Sequence, residues 1–254
     1  MGQELHYTIS GKGTTILFLH GYCDNSLVWA PVIEQLHGFR TIAVDLPGHG
    51  QSRAVDINCS FAEISEAVFH IVQNHNIDKL TLVGHSMGGY VAVAFAKLYP
   101  HLVERIFLVH SHPLADSMER KSQRQKEIRL VENGKLPLLL HMQTKSRFGG
   151  TALVQTLKSQ LAPIATCTTD AGALWALTAM MGRENNAGWL AGCGIPFVCA
   201  LSPCDVKIDY RAVTEWVAST GHGQVADFNN SRHMCFWEEP ELFLKTLLHS
   251  VTGK

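Results

Sequence analysis

Residues 80–96 read Leu-Thr-Leu-Val-Gly-His-Ser-Met-Gly-Gly-Tyr-Val-Ala-Val-Ala-Phe-Ala. A four-residue apolar strand, Leu80–Val83, runs directly into Gly84-His85-Ser86-Met87-Gly88, and a helical run rich in Ala and Val follows until Tyr99-Pro100 ends it. G-x-S-x-G between a strand and a helix is a nucleophile elbow. The turn is so tight that side chains at positions 84 and 88 would strike neighbouring elements. The serine is forced into a strained backbone with its Oγ at the top of the sheet. The helix N-terminus behind it favours developing negative charge. Ser86 is therefore the candidate nucleophile.

Outward from this stretch, short apolar runs alternate with segments of helical period. Ile16–Leu19, Thr41–Val44, Ile106–Val109, Phe197–Leu201 and Val225–Phe228 read as further strands. Ser60-Phe61-Ala62-Glu63 has the form of a capping box, and Phe61, Ile64, Val68 and Val72 continue it as a helical stripe. Such alternation predicts an α/β fold, a mostly parallel central sheet with helices on both faces. Leu5–Ser10 with Gly11-Lys12-Gly13 reads as an antiparallel edge hairpin leading into the sheet. Between His112 and Gly194 the alternation stops. Asp116–Val131, Thr151–Leu161 and Thr166–Met181 read as helices there, since a structureless loop of that length is improbable in a compact domain. The expected organisation is a core of residues 1–112 and 194–254 with a helical lid, 113–193, inserted after the strand ending near Val109.

Two loops lie where a nucleophile at Ser86 needs them. His20-Gly21-Tyr22 follows the first buried strand, and the backbone N–H groups of Tyr22 and Met87 are the expected oxyanion hole. The His20 imidazole is expected to brace this loop. Asp45-Leu46-Pro47-Gly48-His49-Gly50-Gln51-Ser52 reads as a tight turn held by Asp45.

These segments, together with a strand ending in Ser202-Pro203-Cys204-Asp205 and a final Ser231-Arg232-His233-Met234, resemble the α/β-hydrolase superfamily, in particular its small esterase-like serine hydrolases. The resemblance runs from residue 18 to about 240 and implies the order nucleophile, acid, histidine. That order maps onto Ser86, Asp205 and His233, with a lid between the strands near Val109 and Pro196. Ser202 and Arg232 depart from the glycines that often stand before the acid and the histidine.

Fourteen histidines make the base a separate question. His233 follows the last strand at the carboxyl edge of the sheet, where a base can reach Ser86 and be held by a carboxylate. His222 precedes that strand, at the opposite edge, and turn geometry aims His85 elsewhere. His110 and His112 end a central strand, either lining the pocket or satisfied within the core. Asp116 is the rival acid on the earlier strand route. Asp209 and Asp170 are expected to be solvated, and Asp227 to partner a neighbouring loop.

The rest of the sequence narrows the class. The 254 residues carry 21 basic and 22 acidic side chains, with 46% hydrophobic and 17% charged residues. That balance makes no electrostatic case for nucleic acid, and no apolar run approaches the roughly 20 residues of a membrane span. No G-x-G continues to a dinucleotide fingerprint and no H-E-x-x-H occurs, so no cofactor and no metal is expected. Seven cysteines without a C-x-x-C pair, and a start lacking a basic then apolar leader, suggest reduced thiols in a cytoplasmic protein. The sequence sets no oligomeric state.

The basic cluster Arg120, Lys121, Arg124, Lys126 and Arg129 reads as the solvated face of a lid helix. Leu136, Leu138, Leu139, Leu140, Phe148, Trp175, Met180 and Met181 read either as an apolar pocket or, for most of them, as packing between lid helices. The expected activity is hydrolysis of a small carboxylic ester or related acyl compound, with a compact hydrophobic acyl group and no charged anchor. The alternatives are a receptor-like member with slow turnover, or a carbon–carbon bond hydrolase or thioesterase of the same fold.

Overall fold

The fold is that of a computed structural model describing residues 4–148, 163–164 and 166–253. Seven strands form one sheet in the order β1-β3-β2-β4-β5-β6-β7. They are β1 (Tyr7–Gly11), β2 (Thr15–Leu19), β3 (Arg40–Val44), β4 (Leu80–His85), β5 (Val103–Val109), β6 (Phe197–Leu201) and β7 (Gly223–Asp227). From β3 to β7 every pairing is parallel.

Alternation along the strands builds two cores. Leu17 and Leu19, Ile42 and Val44, Leu82, Ile106 and Leu108 face one side. Ile16 and Phe18, Ala43, Val83, Phe107 and Val109 face the other. Both faces are apolar because both are covered by helices. On the first lie α2 (Phe61–Asn74) and α3 (Met87–Leu98); on the second lie α1 (Ala30–Ile33), the short α9 (Cys235–Glu238) and α10 (Pro240–Thr252). The capping box forms as expected: Ser60 Oγ accepts from Glu63 N–H, and the Glu63 carboxylate accepts from Ser60 N–H at 2.7 Å.

The expected N-terminal hairpin does not form. β1 is antiparallel and at the edge, but it pairs with β3, Tyr7 opposite Val44, so β3 lies between β1 and β2. The connecting turn crosses the start of β3 in near contact. Gly11 has φ +71°, and a Cβ there would sit 2.1 Å from the Phe39 carbonyl oxygen. At the far edge β7 is only half-buried.

Between β5 and β6 the described chain is helical: α4 (Met118–Glu132), α5 (Leu136–Arg147), α6 (Asp170–Gly182) and α7 (Ala187–Gly192). The expected helix Thr151–Leu161 lies outside the described residues. α6 docks on the Gly48 turn, where Thr169 N–H donates to the Gly48 carbonyl at 2.9 Å. A Cβ on Gly172 would lie 2.4 Å from that same oxygen. Trp175, buried in the first core, donates to the Cys59 carbonyl at 2.8 Å. The helix α8 (Tyr210–Ala218) joins β6 to β7.

Candidate active site

The candidate triad and oxyanion-hole residues stand at or beyond the carboxyl ends of strands. Ser86 follows β4 with φ +49° and ψ −113°, a backbone conformation that is costly for a non-glycine residue. Hydrogen bonds hold the strain in place: Ser86 N–H donates to Val109 O at 2.9 Å, and Ser111 Oγ donates to Ser86 O at 2.7 Å. The flanking glycines are needed for contact rather than for positive φ. A Cβ on Gly84 would lie 2.5 Å from Gly89 Cα, and one on Gly88 2.2 Å from Leu19 O. The second contact presses the start of α3, with Met87, against the end of β2 and the loop that carries Tyr22. Both Tyr22 and Met87 are buried.

Asp205 follows β6, and His233 follows β7. His233 Nδ1 and Asp205 Oδ2 are 2.7 Å apart, both side chains essentially without solvent contact. Lys207 N–H donates to the other carboxylate oxygen at 2.8 Å. With the carboxylate as acceptor, the His233 proton sits on Nδ1, and Nε2 is left as the basic nitrogen. Burial lowers the His233 pKa below the ordinary histidine value, and the two histidines beside Asp205 keep its carboxyl well below the usual carboxylate range. The pair is thus a neutral imidazole on an ionised carboxylate. Ser202 joins the two loops: its Oγ accepts from Cys204 N–H at 3.0 Å and donates to Ser231 O at 2.6 Å. A glycine at 202 would lack that link.

Ser86, His233, Tyr22, His85 and His112 line one cavity of about 320 Å³. His85 donates from Nε2 to the His233 carbonyl at 2.9 Å and so braces the histidine loop. His20 is structural, as expected. Its Nδ1 donates to Gly21 O and its Nε2 accepts from Leu46 N–H, both at 2.8 Å. Asp45 holds its turn by accepting from Ser26 N–H and Gln51 N–H. His222 bonds Thr220 O and Leu190 O at the opposite edge. Asp227 accepts from the Tyr210 hydroxyl at 2.8 Å. Asp209 is exposed and caps α8.

Two residues have a part that the sequence did not assign to them: it leaves His110 either lining the pocket or satisfied in the core, and it does not single out Arg147. His110, at φ +46°, is fully buried with Nδ1 2.9 Å from Asp205 Oδ2, so two imidazoles flank one carboxylate. These three side chains are also the group, among the described residues, whose atoms gather within 4.8 Å as metal ligands would. Arg147, at the end of α5, ties the helical segment to both active loops. Its carbonyl accepts from His233 N–H at 2.9 Å, while its guanidinium bonds Asp24 and the Tyr22 carbonyl.

The cavity wall decides one open reading and corrects one expectation. Of the eight candidate apolar pocket residues, Met180 alone is among those lining the cavity beside Ser86. Leu136, Leu139 and Trp175 pack into the core instead, and Leu138 is exposed. The basic cluster on α4 is not a wholly solvated face: Arg124 is 3% exposed, and Arg120 and Arg124 both line the cavity. Positions 120, 124 and 127 follow the i, i+4, i+7 rule, so one face of α4 carries charge inward. That spacing was visible in the sequence. Its direction was not. Asp116, the rival acid, is bound to Arg124 and Arg183 rather than to a histidine.

Residues 14–212 match the family model described as alpha/beta hydrolase fold. The chain belongs to the alpha/beta hydrolase fold family. A thermophilic esterase from Thermogutta terrifontis superposes on this chain with a TM-score of 0.91 at 20% identity, covering 97% of this chain and 92% of the esterase. An uncharacterized protein of Mycobacterium tuberculosis is 40% identical over 109 residues, 42% of this chain and 32% of that protein. A 2-succinyl-6-hydroxy-2,4-cyclohexadiene-1-carboxylate synthase of Salmonella paratyphi B is 40% identical over 82 residues, 32% of each. The chain thus spans about a third of the length of these curated relatives. No helix among its described residues is long and apolar enough to cross a membrane.

Proposed function

We propose that this alpha/beta hydrolase is a serine hydrolase that cleaves a small carboxylic ester through an acyl-enzyme, with Ser86, His233 and Asp205 as its catalytic triad. The observation that carries the reading is the 2.7 Å contact of His233 Nδ1 with Asp205 Oδ2, in a histidine that shares its cavity with a strained Ser86. In the first half-reaction Ser86 Oγ bonds to the ester carbonyl carbon and gives its proton to His233 Nε2. The tetrahedral oxyanion is met by the N–H groups of Tyr22 and Met87. It collapses as the C–O bond breaks, and His233 returns the proton to the departing alcohol. Water repeats the sequence on the acyl-enzyme and releases the acid. Asp205 stays ionised throughout and stabilises the imidazolium as it forms.

In this reading residues 113–193 act as a lid over a core of 1–112 and 194–254. The hydrogen bonds from Arg147 to both active loops support such a covering role. All seven cysteines are free thiols, in keeping with a cytoplasmic setting. Turnover of a p-nitrophenyl ester panel, with fluorophosphonate labelling, tests the assignment. Ser86→Ala is expected to abolish both signals while the fold persists. Labelling that survives in the variant would overturn Ser86, and a single slow event in the native protein would indicate a receptor.

A further inference from the structure

The cavity above Ser86 holds more positive charge than its own carboxylates neutralise. Arg120 and Arg124 lie one turn apart on α4 and both reach the cavity. Arg124 donates to Asp116, yet the same carboxylate also takes Arg183, so two guanidiniums share one negative charge. Lys207 reaches the cavity from the acid loop. Its ammonium donates to the neutral amide oxygen of Gln143, and among the described residues no carboxylate lies within ion-pair distance of it.

The remaining acids do not close the gap. Glu127 is buried and accepts from the amides of Gln123 and Gln143. Asp209 is exposed at the rim and engaged by the N-terminus of α8. Arg147 is matched by Asp24 and adds no excess. Arg120, Arg124 and Lys207 on the cavity wall, with Arg183 behind them on Asp116, therefore outnumber the neighbouring buried carboxylates Asp116 and Glu127. Burial first, then Arg147 and Arg120, pull the Lys207 pKa down to about 8 against the opposing pull of Glu127 and Asp205. Half-buried charge without a full set of counter-charges is costly to a fold and marks a candidate ligand site.

We propose that the substrate carries an ionised carboxylate besides the scissile ester, as a short dicarboxylic hemiester does, and that Lys207, Arg120 and Arg124 hold that carboxylate while the ester carbonyl meets Ser86. Guanidinium edges and an ammonium are suited to a carboxylate, whose charge-assisted hydrogen bonds are roughly twice as strong as neutral ones. The inference rests on the serine hydrolase reading for its ester and on the cavity alone for its anion.

The test compares monoethyl adipate with ethyl hexanoate, which differ only by a carboxylate in place of a methyl group. kcat/KM is measured for both by pH-stat in the native protein, Lys207→Met and Arg120→Gln, with thermal melts to establish folding. The native protein is expected to favour the anion at least about tenfold, and each substitution to cut that ratio about tenfold, as loss of one charged hydrogen bond implies. A native ratio near one, or a ratio unmoved in both folded variants, overturns the proposal. Calorimetric titration of Ser86→Ala with monoethyl adipate separates the two readings. Binding that is lost on adding Lys207→Met sustains the anion site even if neither ester is cleaved. Absence of binding in Ser86→Ala, with no preference in turnover, refutes the site and leaves the hydrolase standing.

Discussion

Replacing Gly88 by alanine adds one methyl group at the junction on which the site depends. That Cβ would lie 2.2 Å from Leu19 O, 2.5 Å from Leu19 C and 2.6 Å from His20 O. All three are backbone atoms at the end of central strand β2, so no rotamer relieves the contact. Reaching ordinary van der Waals separation requires the start of α3 and the end of β2 to part by about 1 Å or more. Overpacking of this kind costs about 1–3 kcal/mol, which at this chain length lowers Tm by roughly 2–12 °C. The same movement separates the Met87 amide from the Tyr22 loop, and a 1 Å misplacement can cost about 10²-fold in rate. Gly188→Ala is the internal control. It lies in α7, a Cβ there meets nothing within 4 Å, and alanine favours a helix by up to about 1 kcal/mol over glycine. Thermal melts and kcat/KM for an ester are measured on both proteins. If Gly88→Ala matches the native protein in both, or if Gly188→Ala loses as much, the contact argument is wrong.

Stability should fall steeply on mild acidification. Burial pushes His49 and His233 down to about 3 and His112 to about 4, and it lowers His20 and His85 as well. Histidines of the unfolded chain take protons near 6.5 while these stay neutral, so their stabilisation is complete above that value and is lost as pH drops below it. Between pH 7 and 5 the first three together forfeit about 6 kcal/mol, a large share of a typical 5–15 kcal/mol total. Urea unfolding at pH 7, 6 and 5 measures it, and a flat free energy contradicts it. Asp205→Asn is expected to lower kcat by about four orders of magnitude, by analogy with serine proteases, while its amide oxygen still accepts a hydrogen bond and the Tm shifts little. Asp116→Asn should show the opposite pattern. It leaves Arg124 and Arg183 on a neutral amide at about 3–5 kcal/mol, and a Tm equal to that of the native protein would contradict the shared ion pair.

The strand–turn–helix at 80–98, the alternation that makes the sheet parallel and the capping box at Ser60 were legible in the sequence. Each is set by neighbours a few residues apart, through strand and helix periodicity and the volume that glycine leaves free. The positions of Asp205 and His233 were legible for a related reason: a short turn after a strand can end only at the carboxyl edge of the sheet. Three features were decided by tertiary structure alone. β1 pairs with β3 rather than β2 because the Gly11–Gly13 turn packs against residues 38–40. Arg147 becomes a tie between the histidine and Tyr22 loops across 86 and 125 positions of chain. The i, i+4 spacing of Arg120 and Arg124 shows that they share a face of α4, but their periodicity is the same whether that face meets water or a cavity. Only the packing of α4 beside Asp116 and the acid loop selects the cavity. A local pattern records how side chains are spaced, whereas the charge a pocket presents depends on which distant segments close around it.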